Sequence, residues 1–315
     1  MDTVIRAEGL TRSFGGKKVV DRLDLAVPAG AVYALLGDNG AGKSTTIRML
    51  TGLLPASAGR ASILGEDCWH SAVELRHRVG YVPEKPRFYN WMTVAEIGAF
   101  AAGFHRPGYL ARYRQAVEGF GLERAARLKT LSKGGYAKVG LALALAVDPQ
   151  VLILDEPTSG LDLFTRREFL SSMVGLAGEG RTILISSHAV AEVERVASHA
   201  AFLAKGQLLL AGPLDALRQR FLRLRVRHDG TESDPAGLGV VLEHAASGRE
   251  WQAVLQDPDP AAVEELRGRP GVLGVEESRL TLEEMYTALL ARSHRAARPA
   301  PEPAPAGIQE TGESR

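Results

Sequence analysis

The sequence predicts an α/β fold: a phosphate-loop core with a parallel sheet, an N-terminal antiparallel β region, a helical insert and a small C-terminal α+β unit. Three observations predict it. Apolar runs at 31–36, 151–154 and 182–185 show no polar alternation, as strands buried on both faces require. The first run ends in the glycine-rich stretch Gly37-Asp38-Asn39-Gly40-Ala41-Gly42-Lys43-Ser44-Thr45, followed by a segment, 45–50, that can form a helix starting at Lys43. Between the strands expected at 79–83 and 151–157, residues 93–147 have helical spacing and many alanines.

From the N-terminus, residues 3–36 alternate short apolar segments with turns, Gly15-Gly16 being the clearest, and read as a small antiparallel region. A strand is expected at 61–65, a short helix at 73–78 and a strand at 79–83 that ends at Pro83. Thr93 with Glu96 three residues later forms a capping box for a helix through Phe100, within a mainly helical subdomain at 87–148. Helices are then predicted at 164–176 and 190–198, and two short strands at 200–211 joined at Lys205-Gly206. This completes a first domain, 1–220.

A second unit, 221–291, changes style. Leu222, Leu224 and Val226 alternate with Arg223, Arg225 and Arg227, giving a strand with one basic face. Those arginines could bind phosphates or form a solvated outer face, and the second is the ordinary reading. Segments near 240–243 and 251–255 could pair with this strand; a helix at 260–267, a strand at 272–279 and a helix at 281–291 opened by Thr281 and Glu284 complete the unit. Residues 292–315, with Pro299, Pro301, Pro303 and Pro305 among alanines and charges, are expected to be disordered.

Composition sets bounds. The 315 residues are 45% hydrophobic and 24% charged, ordinary for a globular protein, and 38 Lys plus Arg against 37 Asp plus Glu leave a net charge of +1. That argues against a nucleic-acid partner. The single cysteine, Cys68, excludes an intramolecular disulfide and a multi-cysteine metal site, and reads as a packed small residue. The longest apolar run, 139–147, falls well short of the roughly 20 residues needed to cross a bilayer, so the chain is not expected to span a membrane by itself.

The residues that carry chemistry lie where the strands end. The stretch 37–45 fits the phosphate-loop pattern: glycines let consecutive N–H groups turn inward on phosphate oxygens, and the helix behind them adds its positive end. Lys43 would reach the β- and γ-phosphates, and the Ser44 hydroxyl would hold Mg²⁺. The run ending in Asp155-Glu156 places two carboxylates at the C-terminal end of a central strand, the usual ligand edge of such a sheet. Asp155 is placed to hold Mg²⁺, and Glu156 to accept a proton from water attacking the γ-phosphate. Read structurally, Asp155-Glu156-Pro157 is merely a polar strand exit, and the loop a glycine-rich turn. Phe14 is an aromatic beside a turn, able to stack on a base or simply to pack at an edge.

Together with Leu131-Ser132-Lys133-Gly134-Gly135, Ser159-Gly160-Leu161-Asp162 and Ser187-His188, in that order, these motifs resemble the nucleotide-binding subunit of an ABC transporter over residues 3 to about 215. The resemblance implies that Phe14 stacks on adenine, and that Gly37, Asp38, Asn39, Gly40, Ala41, Gly42, Lys43, Ser44 and Thr45 cradle ATP. It implies that Ser132 and Gly134 contact the γ-phosphate held by an opposite protomer, so that two ATP molecules are sandwiched in a head-to-tail dimer. Asp162 would belong to the loop that communicates across that interface, and His188 would bond the γ-phosphate. The family's usual glutamine that touches Mg²⁺ is Glu84 here, and Lys133 and Gly135 depart from the common Leu-Ser-Gly-Gly-Gln signature; related exporter ATPases show both features.

The resemblance implies an ATPase subunit, with ATP and Mg²⁺, on the cytoplasmic face of the membrane. It would power transport, in the export direction, through separately encoded permease subunits. Residues around 84–91 would pass the motion to them. A soluble ABC ATPase acting on ribosomes or DNA is the alternative; such relatives carry two cassettes or a long coiled coil, and neither is visible. A nucleotide-gated regulator that scarcely turns over would not need Lys43, Asp155, Glu156 and His188 together.

Overall fold

The structure is a computed structural model and describes residues 2–230 and 234–296. Its centre is a six-stranded sheet in the spatial order Gln207–Pro213, His199–Ala204, Val32–Leu36, Thr182–Ser187, Val151–Asp155, Val79–Val82. The last five strands in that order run parallel; only Gln207–Pro213 is antiparallel, as the return arm of a hairpin. The strand Val32–Leu36 that feeds the phosphate loop therefore lies inside the sheet, with a parallel neighbour on each side.

The continuous apolar runs are explained by the two-residue period of a strand. Tyr33, Leu35, Val151, Ile153, Ala201 and Leu203 face one hydrophobic cluster, which also holds Ile47 and Leu50 of the helix Lys43–Leu50. Ala34, Leu36, Ala200 and Phe202 face the opposite side. Leu152 and Leu154 do the same further along, against Phe169, Leu170 and Met173 of the helix Leu163–Gly178. A strand covered on both faces has no place for a polar alternate residue.

The N-terminal region is less fragmented than the sequence pattern implies. It is two twelve-residue strands, Thr3–Phe14 and Lys17–Pro28, joined at Gly15 and Gly16, both at positive φ. With Ala58–Ile63 and Glu66–Asp67 they make a four-stranded antiparallel sheet that packs over the phosphate-loop helix. Register irregularities between Ala7 and Leu10 and between Leu10 and Arg12 break the apolar alternation, which is why one long strand reads as short pieces. Cys68 is buried here, and burial pushes its thiol up to about 12, as suits a packing residue.

Two short helices are shorter than expected. Residues 73–78 yield only Ala72–Leu75, and 190–198 only Val190–Val193. Their backbones are claimed early by the sheet: the Arg78 carbonyl accepts from Gln150 N–H, and Ser198 N–H donates to the Val32 carbonyl. Between the strands Val79–Val82 and Val151–Asp155 lie the helices Val94–Ala102, Tyr109–Gly119 and Lys133–Leu145, gathered on Ile97, Tyr113, Val117 and Val139. Thr93 and Glu96 form the complete capping box, so Thr93→Ala should cost about 1 kcal/mol, read as a lower midpoint of urea unfolding.

The C-terminal unit is a four-stranded antiparallel sheet ordered Val240–Ser247, Glu250–Gln256, Phe221–His228, Val272–Ser278, with the helices Pro260–Arg267 and Leu282–Ala296. The arginine face of its strand is paired with carboxylates: Arg223 with Glu284 at 2.8 Å and Arg225 with Glu250 at 3.3 Å. The last helix continues beyond 291, so residues 292–296, expected in the tail, are helical; the first proline stands only at Pro299. The remainder of the tail, from 297, lies outside the described residues. Met285, Tyr286 and Leu289 of this helix join Leu36, Phe202 and Val190 in one hydrophobic cluster, so the C-terminal unit covers part of the core sheet. Among the described residues, no helix is long and apolar enough to cross a membrane.

Candidate active site

The phosphate loop opens on Gly37, where a Cβ would stand 2.4 Å from the Leu203 carbonyl, and closes on Gly42, at φ +108° and with the Val19 carbonyl 2.8 Å from any Cβ. A side chain at either position would displace backbone. With these two fixed, the chain turns into the helix Lys43–Leu50 directly behind Gly42.

A cavity of about 540 Å³ lies over the loop. It is lined by Asp38, Asn39, Gly40, Gly42, Lys43, Ser44 and Thr45 from the loop, and by Glu84, Glu156 and His188 from three other segments. Gly37 and Ala41 are buried behind the loop. Val19 and Ser159 also line the cavity, although sequence reasoning gives neither a place in it. Neither type advertises chemistry, and only position relative to Gly42 and Glu156 makes them part of the wall.

Beneath the cavity the polar groups form one connected chain. Lys43 Nζ donates to the Gly37 carbonyl at 2.5 Å and to the Asp38 carbonyl at 3.2 Å, and lies 3.1 Å from Glu156 Oε1. The other Glu156 oxygen is 2.8 Å from His188 Nδ1, which orients the ring. Asp155 Oδ1 accepts from Ser44 Oγ at 3.1 Å and from Ser186 Oγ at 2.7 Å. Ser186 Oγ in turn accepts the Glu156 N–H at 2.9 Å, so one hydroxyl sets the spacing of both carboxylates. The Ser186-Ser187-His188 run after an apolar strand is the one sequence signal for it.

Burial pushes the Asp155 carboxyl above its ordinary value; the hydroxyls of Ser186 and Ser44 oppose that, and the charges of Glu156 and Glu84 add to it. Glu156 stands at φ +48°, a left-handed conformation that costs on the order of 1–3 kcal/mol in a residue with a Cβ. That turn aims its side chain at Lys43 and His188, away from the strand direction. Its buried Oε1 has no hydrogen-bond partner and is held by the ion pair with Lys43 alone. The arrangement can take an anionic group at the loop, hold a hard cation between Ser44, Asp155 and Glu84, and accept a proton at Glu156.

Four candidates lie elsewhere. Phe14 is half-exposed, with the Arg12 guanidinium 4.7 Å from its ring centre, and does not line the cavity. Ser132 caps the helix Lys133–Leu145, its Oγ accepting the Gly135 N–H at 3.1 Å. Gly134 sits where a Cβ would meet Thr165 Cγ2 at 2.6 Å. Asp162 caps the helix Leu163–Gly178, and its hydrogen bonds, first that from the Thr165 hydroxyl, hold its carboxyl below the ordinary range. Within one chain the structure does not bring Ser132, Gly134 and Asp162 to the phosphate loop.

Comparison with known proteins agrees with this geometry. The model of the ABC transporter family matches residues 20–159. The chain is 38% identical over 224 residues to the bacitracin transport ATP-binding protein BcrA of Bacillus licheniformis, covering 70% of this chain and 73% of that one. It is 31% identical over 302 residues to the daunorubicin/doxorubicin resistance ATP-binding protein DrrA of Streptomyces peucetius, covering 90% and 92%. Among solved structures, the ATP-binding subunit of an ABC transporter superposes with a TM-score of 0.63 at 30% identity, over 69% of this chain and 92% of that one. A phosphate loop at the end of an inner strand of a parallel sheet, two carboxylates at the end of another strand of that sheet and this kinship make one statement: the chain belongs to the ATP-binding proteins of ABC transporters, ATPases whose turnover is coupled to transport.

Proposed function

We propose that the chain hydrolyses ATP in the cavity over Gly37 to Thr45 and, as a dimer on the cytoplasmic face of the membrane, drives export through separately encoded permease subunits. The observation that carries the reading is the chain Lys43–Glu156–His188 set beside Asp155 and Ser44 at the mouth of the phosphate loop. The export direction rests on kinship: the similar proteins named above are a bacitracin transport protein and a drug-resistance protein.

In this reading Lys43 leaves the loop carbonyls and Glu156 to meet the terminal phosphates. Glu156, released from its ion pair, takes the proton of the attacking water, and His188 holds Glu156 in place. Among the described residues no three His, Cys, Asp or Glu side chains converge as a closed metal centre. The donor set of hydroxyl and carboxylate oxygens nonetheless fits Mg²⁺, which keeps water and phosphate among its ligands and asks the protein for only one or two carboxylates. Ser44, Asp155 and Glu84 would hold it, and bound Mg²⁺ supplies neutralisation of phosphate charge. Ser132 and Gly134, which do not line the cavity of their own chain, would complete the site of a second protomer, with Asp162 at the interface.

The test is phosphate release from ATP by the purified chain over a protein concentration series. Specific activity is expected to rise with concentration, as a composite dimer site requires, and to stop on addition of EDTA. Turnover that is independent of concentration would remove the dimer site, and turnover that survives EDTA would remove the cation assignment.

A further inference from the structure

The peptide between Gly37 and Asp38 is held on both sides. Its carbonyl accepts from Lys43 Nζ at 2.5 Å, and its N–H, that of Asp38, donates to the Tyr286 hydroxyl at 2.8 Å. Tyr286 comes from the helix Leu282–Ala296, 248 residues further along the chain. It therefore ties the phosphate loop to the C-terminal unit by a direct hydrogen bond.

The ring is placed independently of that bond. It is 6% exposed and stacks on Phe202 of the core sheet, with centroids 5.5 Å apart and planes 14° from parallel. The helix is anchored at its start by the Thr281–Glu284 box and by the ion pair of Glu284 with Arg223. Its first N–H, from Leu282, also donates to Glu194 at 3.4 Å. Burial pushes the Tyr286 hydroxyl up to about 12, so it stays neutral and able to accept a hydrogen bond throughout the working range of pH. A peptide plane gripped at one end only can tilt; gripped at both, it fixes the direction of its carbonyl and with it the resting position of the lysine ammonium.

We propose that Tyr286 is a positioning residue for nucleotide binding: its hydroxyl fixes the Gly37–Asp38 peptide at the entry of the phosphate loop and thereby the path of the loop backbone that receives the phosphates, so that the C-terminal unit sets the affinity of the loop. This rests on the ATP-binding reading above. Without the hydroxyl, the loop spends part of its time in other arrangements, and apparent affinity falls by the fraction that remains competent.

The experiment is a fluorescence titration with a ribose-labelled ATP analogue on the full chain, its Tyr286→Phe variant and its Glu284→Gln variant. Tyr286→Phe keeps the ring, its burial and its stacking, and is expected to bind about five-fold more weakly, the effect of one ordinary hydrogen bond. Glu284→Gln removes the Arg223 ion pair and weakens the box that anchors the same helix, so it is expected to lower the melting temperature and, through a looser hold on Tyr286, to weaken binding by less than Tyr286→Phe does. Equal affinity for wild type and Tyr286→Phe, with nucleotide bound by both, would overturn the proposal; a wild type that binds no nucleotide would instead overturn the reading it rests on. A measurement on the wild type alone decides the matter should the variant not fold: the Asp38 amide is expected to be protected from hydrogen exchange in the nucleotide-free protein, and an unprotected amide rejects the bond.

Discussion

Glu156→Gln is expected to lower steady-state phosphate release by roughly 10²–10⁴-fold, the usual contribution of a positioned general base, while nucleotide affinity changes by no more than about three-fold. The amide keeps the size of the carboxylate and can still meet His188, so the fold has little reason to respond. It cannot take a proton from water. The variant also removes the negative partner of Lys43, which should favour the phosphates as the lysine's alternative partner, so a small gain in affinity is the expected sign. Release from a saturating ATP solution, with binding measured in parallel, separates the two quantities. Hydrolysis that persisted at the wild-type rate would show that another group takes the proton, and the left-handed turn at Glu156 would then need a different explanation.

Lys43→Ala should have the second large effect, and on two quantities at once. The side chains of Lys43 and Glu156 are 5% and 8% exposed, so removal of the cation leaves a buried carboxylate with only His188 beside it. Breaking such a pair costs about 3–5 kcal/mol in an interior; a site that opens on a cavity belongs at the lower end. At roughly 2 °C per kcal/mol for a chain of this size, the nucleotide-free protein should melt roughly 6 °C lower. Nucleotide affinity should fall more than about 100-fold, through loss of charge-assisted bonds to phosphate. The double variant Lys43→Ala, Glu156→Gln should recover most of the stability and none of the turnover. If the double variant melted no higher than Lys43→Ala alone, the unpaired carboxylate would not be the source of the loss.

Much of this architecture is legible in the sequence because the central strands are covered on both faces, which forces unbroken apolar runs, and because the phosphate loop must stand at the end of one of them. The placement of the carboxylates Asp155 and Glu156 comes from the same geometry. Less legible are features set by contacts distant in sequence. The helix expected at 190–198 stops at Val193 because Ser198 is already paired with Val32, and nothing local to 190–198 says so. Val19, on the strand Lys17–Pro28, and Ser159, in the turn after Pro157, join the cavity wall through positions whose residue types announce no chemistry. The arginines of the strand Phe221–His228 read as a basic face because their carboxylate partners, Glu250 and Glu284, lie on other elements. Tyr286 looks like one more apolar position of an amphipathic helix, and its hydroxyl acquires a purpose only once that helix is laid against the phosphate loop.

The hydrophobic cluster shared by Leu36, Phe202, Met285 and Leu289 has a consequence for anyone who trims the chain. A cassette cut after Arg220 would keep every motif by which its family is recognised, yet it would lay one side of its own central sheet open to water. Exposed apolar area of that kind draws other molecules to it. The minimal piece that can be handled as a well-behaved ATPase is thus longer than the piece that carries the chemistry, and its end is set by where the sheet is closed over, at the C-terminal helix.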